Sequence, residues 1–141
     1  MTQNSAFDAY RVYLETLTAR DIAHLGDYVS PDVRFCDPFH DVQGVSEMAA
    51  IFSRLFSTVR GIKFSVLDSC GHGSCYFFRW ILTGTLRSKN WSIEGVTLLE
   101  MRADGKVVSH LEYWDAASQF YEKFPIIGPL LRILRARIAS S

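Results

Sequence analysis

Apolar residues first recur at spacings of three and four. Phe7, Tyr10, Leu14 and Leu17 form the stripe of an amphipathic helix with Tyr13 on its edge, and Ser5 and Asp8 resemble a weak capping box. Asp21 is placed to cap a second, short helix that turns Ile22, Leu25 and Val29 inward and stops at Ser30-Pro31. The period then drops to two. In Val33-Arg34-Phe35-Cys36-Asp37 the alternation puts Asp37 on the same face as Val33 and Phe35, so an acid is expected on an apolar face. After Gly44, Ser46 is placed to cap a third helix whose Met48, Ile51, Phe52, Leu55 and Val59 point one way. Strand-like runs follow over 63–68, 75–87, 91–101 and 106–114, and short turns such as Asp104-Gly105 make neighbours antiparallel. This order predicts an α+β domain with helices on one face of a curved antiparallel sheet. After Asp115 come a short helical stretch, the loop Phe124-Pro125-Ile126-Ile127-Gly128-Pro129, and a tail helix over 130–139 with Leu130, Leu131, Leu134 and Ile138 on one face. That face is expected to dock on something apolar, the core or a cavity mouth, in preference to a membrane surface, because the basic run of Arg132 and Arg135 is short.

A length of 141 residues fits a single domain spanning 1–141. Fifteen basic and fifteen acidic residues cancel, which removes the global positive field a general nucleic-acid binder needs. With 48% apolar residues the chain is too hydrophobic to stay disordered. Cys36, Cys70 and Cys75 are odd in number and lack a Cys-x-x-Cys spacing, so no disulfide framework is expected. Residues 1–20 show no secretory pattern and no run approaches a membrane span, which makes a cytoplasmic location the expectation.

Two places carry candidate chemistry. Asp37 on its apolar face is a base whose pKa desolvation would raise, or else the exposed start of an Asp-Pro turn with Pro38. His110, Glu112 and Trp114 share one face of the last strand, where the imidazole and carboxylate can set each other's protonation. Alternation alone equally allows Leu111 and Tyr113 to point inward instead. Asp37, His40, Asp41 and His110 lack any metal-ligand spacing, so no metal is expected.

These residues resemble the ketosteroid isomerase, SnoaL-like cyclase and nuclear transport factor 2-like superfamily. The resemblance rests on the ungapped run from Tyr13 to Asp21, on Val33-Arg-Phe-Cys-Asp37-Pro38, on Gly105-Lys106-Val107-Val108, on Gly44 before a helix, and on Tyr113-Trp114-Asp115. It covers residues 6–118 and leaves 119–141 as a helical extension. It implies a cone-shaped domain, three N-terminal helices on a mostly antiparallel sheet that encloses a pocket. It makes Asp37 the base beside a carbonyl and Tyr13 the phenol that donates to the enolate oxygen. Thr97 stands where the isomerases keep a protonated acid, and Phe52 where a supporting tyrosine sits. The last strand turns its His110-Glu112-Trp114 face inward, with Phe35, Tyr76, Phe78, Trp80, Leu82 and Leu99 as further pocket walls and Arg79 outside. In the cyclase branch, carboxylate and imidazole groups close rings without a cofactor, and Asp37, His110 and Asp115 suit such roles.

The expected function is thus a small cofactor-independent enzyme that uses Asp37 and His110, with Glu112 orienting His110, on a hydrophobic carbonyl or epoxide compound. Its alternative is a non-catalytic domain of the same fold that binds a hydrophobic ligand or a protein. Relatives of this fold commonly bury the outer sheet face in a dimer, and this face carries few strong charges, so a homodimer is expected.

Overall fold

The structure is a computed structural model and describes residues 3–141. Helix α1 (Gln3–Thr16) leads through a 3-10 helix (Asp21–Asp27) into strands β1 (Val29–Cys36) and β2 (Asp41–Gln43). Helix α2 (Val45–Thr58) is followed by β3 (Arg60–His72), β4 (Cys75–Leu86), β5 (Lys89–Met101) and β6 (Val107–Tyr113). The chain ends in α3 (Ala116–Gln119), a 3-10 helix (Tyr121–Lys123) and α4 (Ile127–Ala139). One curved sheet has the order β2-β1-β6-β5-β4-β3, with β1 parallel to β6 and every other pair antiparallel.

Several boundaries differ from the expectation. Helix α1 begins at Gln3, which puts Ser5 and Asp8 inside it and not at a cap. The second helix is a 3-10 helix that ends before Val29, although Ile22 and Leu25 are buried as expected. Asp21 does not cap it, because its carboxylate accepts hydrogen bonds from the Thr18 amide and hydroxyl. Val29 pairs with Val107, whose amide donates to the Tyr28 carbonyl at 3.0 Å, so the chain is drawn into β1 early. Ser30-Pro31 therefore lies within a strand. Proline is tolerated there because β2 pairs only with Arg34 to Cys36 and leaves Pro31 on an edge. Gly44, not Ser46, precedes the third helix, and its φ of +108° is a conformation that a side chain would strain.

Helix length decides where the core ends. The 14 residues of α1 span about 21 Å, whereas the 12 residues of β4 reach about 40 Å. Phe7 stacks on Tyr76 at 4.6 Å, and Tyr10 is wholly buried, so the half of the sheet holding Tyr76, Phe78, Thr97 and Leu99 is closed by α1. The register sets Leu82 beside Ile93 and Gly84 beside Trp91 in the other half, beyond the reach of α1. On the outer face Arg79 points away from the core, as expected, and pairs with Asp68 and Glu94.

The tail departs from the expectation most. The short helical stretch after Asp115 is α3, which Asp115 caps by accepting from the Ser118 amide at 3.1 Å. Beyond it Leu130, Leu134 and Ile138 of α4 are exposed, and only Leu131 of the expected docking face is partly covered.

Candidate active site

The uncovered half of the sheet bounds a cavity of about 360 Å³. Its roof is Leu14 and Leu17 from the first helix and its turn, with Ile51, Phe52, Leu55 and Val59 from α2 and its end. Its floor is Phe64, Trp80, Leu82, Trp91 and Ile93 from the sheet. Gly95 lets the Trp80 ring lie flat, since a Cβ there would come within 2.6 Å of the indole. At one end Phe39 meets Trp114 and Phe120 at centroid distances of 5.4 and 5.1 Å, and Phe120 continues the wall to Trp91 at 5.1 Å.

Besides Glu15, whose carboxylate is held by the Val66 amide and Arg11, and Arg54, Thr58 and Thr83, two acid and imidazole pairs break this largely apolar lining. The first is on the loop after β1. The Asp37 carboxylate accepts from the amides of Phe39 at 2.8 Å and His40 at 2.7 Å, and its Oδ1 lies 2.9 Å from His40 Nδ1. Asp37 is thus at once the head of an Asp-Pro turn and a wall of the cavity. The second pair is on β6, where the inward face is His110, Glu112 and Trp114, and Tyr113 is exposed. His110 Nε2 lies 3.0 Å from Glu112 Oε1, and Nδ1 lies 2.8 Å from the Tyr10 hydroxyl. An ionised carboxylate only accepts, so Nε2 carries the imidazole proton and Nδ1 accepts from Tyr10. Burial, reinforced by the charge of Glu112, raises the Tyr10 phenol well above its ordinary range and keeps it a donor.

The other expected site residues lie elsewhere. Tyr13 does not line the cavity; its hydroxyl donates to the Asp21 carbonyl at 2.9 Å and its ring stacks on Tyr28 at 4.2 Å. Thr97 is fully buried behind the cavity, and its hydroxyl accepts from the Trp80 indole at 2.9 Å. Tyr76, Phe78 and Leu99 belong to the closed half of the core, while Phe35, Phe52, Trp80 and Trp114 do line the cavity. Asp115 is occupied as the cap of α3. Tyr10 is the functional candidate that the sequence hides, because as a stripe residue of α1 it reads as core, and its partner is 100 residues away.

Polar groups also remain for a bound molecule. Among the described residues the Trp91 indole N–H is a buried donor without a protein acceptor, and Trp91 is a cavity wall. Among them too, no three His, Cys, Asp or Glu side chains converge as metal ligands, and Asp41 pairs with Arg34 at 2.9 Å.

The tyrosines give a pH expectation. Burial, then the charges of Asp21 and neighbouring groups, push Tyr13 up to about 12 from 10.0, and Tyr10 is raised as well. Both stay protonated in the folded chain at pH values where the unfolded chain ionises. Their contribution to stability is complete below pH 10 and is lost as pH rises toward 12. Urea midpoints measured across this window should fall, and fall less steeply in a Tyr10→Phe/Tyr13→Phe variant. The same slope in both proteins would assign the loss to other groups.

A family model described as a SnoaL-like domain matches residues 10–110. Among curated protein sequences none matches the chain at a significant level. Solved structures share the fold. A protein of Jannaschia sp. CCS1 named for the SnoaL-like polyketide cyclases is 18% identical, with 82% of this chain and 87% of that one covered and a TM-score of 0.69. An LEH-like epoxide hydrolase of M. tuberculosis is 17% identical over 99% of this chain and 96% of its own, at a TM-score of 0.67. An NTF2-like protein of Burkholderia thailandensis is 16% identical over 82% of this chain and 92% of its own, at 0.71.

Proposed function

Because the chain belongs to the SnoaL-like domain family, we propose that it is a cofactor-independent acid–base enzyme acting on a hydrophobic carbonyl or epoxide compound. One observation carries this reading: two acid and imidazole pairs, Asp37 with His40 and Glu112 with His110, face a largely apolar cavity. An apolar cavity of this kind holds a hydrophobic substrate and excludes water, and its few polar groups fix orientation. The fold is shared with proteins named as cyclases and as an epoxide hydrolase, which supports the same substrate classes.

For a carbonyl substrate, Asp37 takes the proton from the carbon next to the carbonyl, and the electrons of that C–H bond move toward oxygen. In its acid form, with one proton more than the Nε2–H, the Glu112 and His110 pair passes that proton to this oxygen as negative charge develops on it. Return of the proton from Asp37 to a second carbon, with the enol proton going back to the pair, completes an isomerisation; attack of the enol carbon on a second carbonyl, with the enol proton going back to the pair and the Asp37 proton passing to the new alkoxide, completes a ring closure. Tyr10 is a positioning residue that holds the His110 tautomer, and the Trp91 N–H is a donor for a substrate oxygen.

Solvent exchange tests this. The protein is incubated in D2O with a panel of hydrophobic enolisable ketones, and deuterium in the recovered ketone is measured by mass spectrometry. Saturable incorporation above the buffer rate is expected for at least one member. Tight binding of a ketone with no incorporation would overturn the enzyme reading and leave a ligand-binding domain.

A further inference from the structure

Helix α4 carries an apolar face that the rest of the fold leaves bare. At 100° per residue Ile127, Leu130, Leu131, Leu134 and Ile138 fall together, and Leu130, Leu134 and Ile138 are 66%, 55% and 68% exposed. A different side of the helix holds it to the body. Arg132 donates to the Glu122 carbonyl at 2.7 Å, Arg135 pairs with the buried Glu122 carboxylate at 3.1 Å, and Gly128 packs against the same carbonyl. Gly128, Arg132 and Arg135 share a face rotated by roughly 90° from the apolar one. The attachment therefore turns the leucines and isoleucines outward by construction.

Charge is divided along the chain in the same sense. Residues 124–141 hold Arg132, Arg135 and Arg137 and no acid, whereas residues 1–123 hold twelve basic and fifteen acidic residues. The neutral total conceals a positive tail on a negative body. Arg132 and Arg135 stay on Glu122, but Arg137 flanks the apolar face, so two copies of α4 packed face to face would bring their Arg137 side chains together with no carboxylate in the segment to offset them. A surface of anionic headgroups over hydrocarbon meets both features at once.

We infer that α4 lies along an anionic lipid surface, with Leu130, Leu134 and Ile138 in the acyl boundary and Arg137 on the headgroup phosphates. Among the described residues no helix is long and apolar enough to cross a membrane, and the 13 residues of α4 suit a helix lying in the interface plane. The inference is independent of the acid–base reading, because the tail and not the cavity makes the contact.

Flotation of the full chain decides it, with vesicles of phosphatidylcholine alone and vesicles carrying about one-third phosphatidylglycerol. The parent should bind the anionic vesicles on the order of tenfold more tightly, and high salt should weaken that binding. Leu130→Gln/Leu134→Gln, two exposed positions, should retain the far-UV spectrum of the parent and lose vesicle binding about tenfold. Equal affinity for both vesicle types, no flotation of the parent, or unchanged flotation of the variant overturns the inference. So does a parent oligomer in sedimentation velocity that dissociates in the variant without any vesicle binding, which would give the face to a second copy.

Discussion

Asp37→Asn is expected to lower deuterium incorporation by about two to four orders of magnitude, the usual contribution of a positioned base. The amide oxygen of asparagine still accepts from the Phe39 and His40 amides, which lie at 2.8 and 2.7 Å, so the turn after β1 keeps its shape. What disappears is the capacity to take a proton at neutral pH. Thermal unfolding should therefore shift little, and the loss should appear in kcat with KM nearly unchanged. Loss confined to KM, or a large drop in melting temperature with kcat intact, would make Asp37 a structural turn residue. Rates equal to the parent's would remove it as the base.

His110→Leu is expected to be the most destabilising change near the site. His110 is 1% exposed and lies between the Tyr10 hydroxyl and the Glu112 carboxylate. Leucine fills a similar volume but leaves a fully buried phenol without an acceptor and a carboxylate without its donor. Together these cost about 2–4 kcal/mol. Adding Tyr10→Phe removes the orphaned hydroxyl and should recover about 1–2 kcal/mol of that loss, whereas Tyr10→Phe in the parent costs about 1 kcal/mol. Urea denaturation of the four proteins gives the cycle. Strict additivity would mean that the Tyr10 and His110 contact contributes nothing. Exchange activity should stay lost in the double variant, since stability returns there and the shared proton does not.

The site is legible in the sequence to the depth that periodicity reaches. Alternation placed His110, Glu112 and Trp114 on one strand face, and Val33, Phe35 and Asp37 on another, because successive side chains of a strand point to opposite sides whatever it packs against. The two strands prove to be parallel neighbours, with Phe35 beside His110, and this pairing brings the two acids to one cavity. Periodicity gives a face and says nothing about depth along it. Tyr76, Phe78 and Leu99 have the parity of wall residues yet lie where α1 closes the sheet, whereas Trp80, Leu82 and Ile93 lie at and beyond its last turn, where Leu14 and Leu17 roof the cavity.

The sequence by itself determined the element types, the α+β order, the apolar character of the strand faces and the presence of acids and an imidazole on them. These are local properties, written in spacings of two and of three to four residues. Tertiary structure decided which tyrosine meets His110, because the hydroxyl of Tyr10 finds Nδ1 across 100 residues of chain while that of Tyr13 is taken by a carbonyl eight residues away. It also decided that Val29 to Pro31 extend as strand, since their partner Val107 arrives only when β6 is in place. The bare face of α4 is a third decision of the same kind. Its apolar stripe is visible in the sequence, but the side that meets the body follows from Glu122 gripping Arg132 and Arg135, a contact that no periodicity encodes.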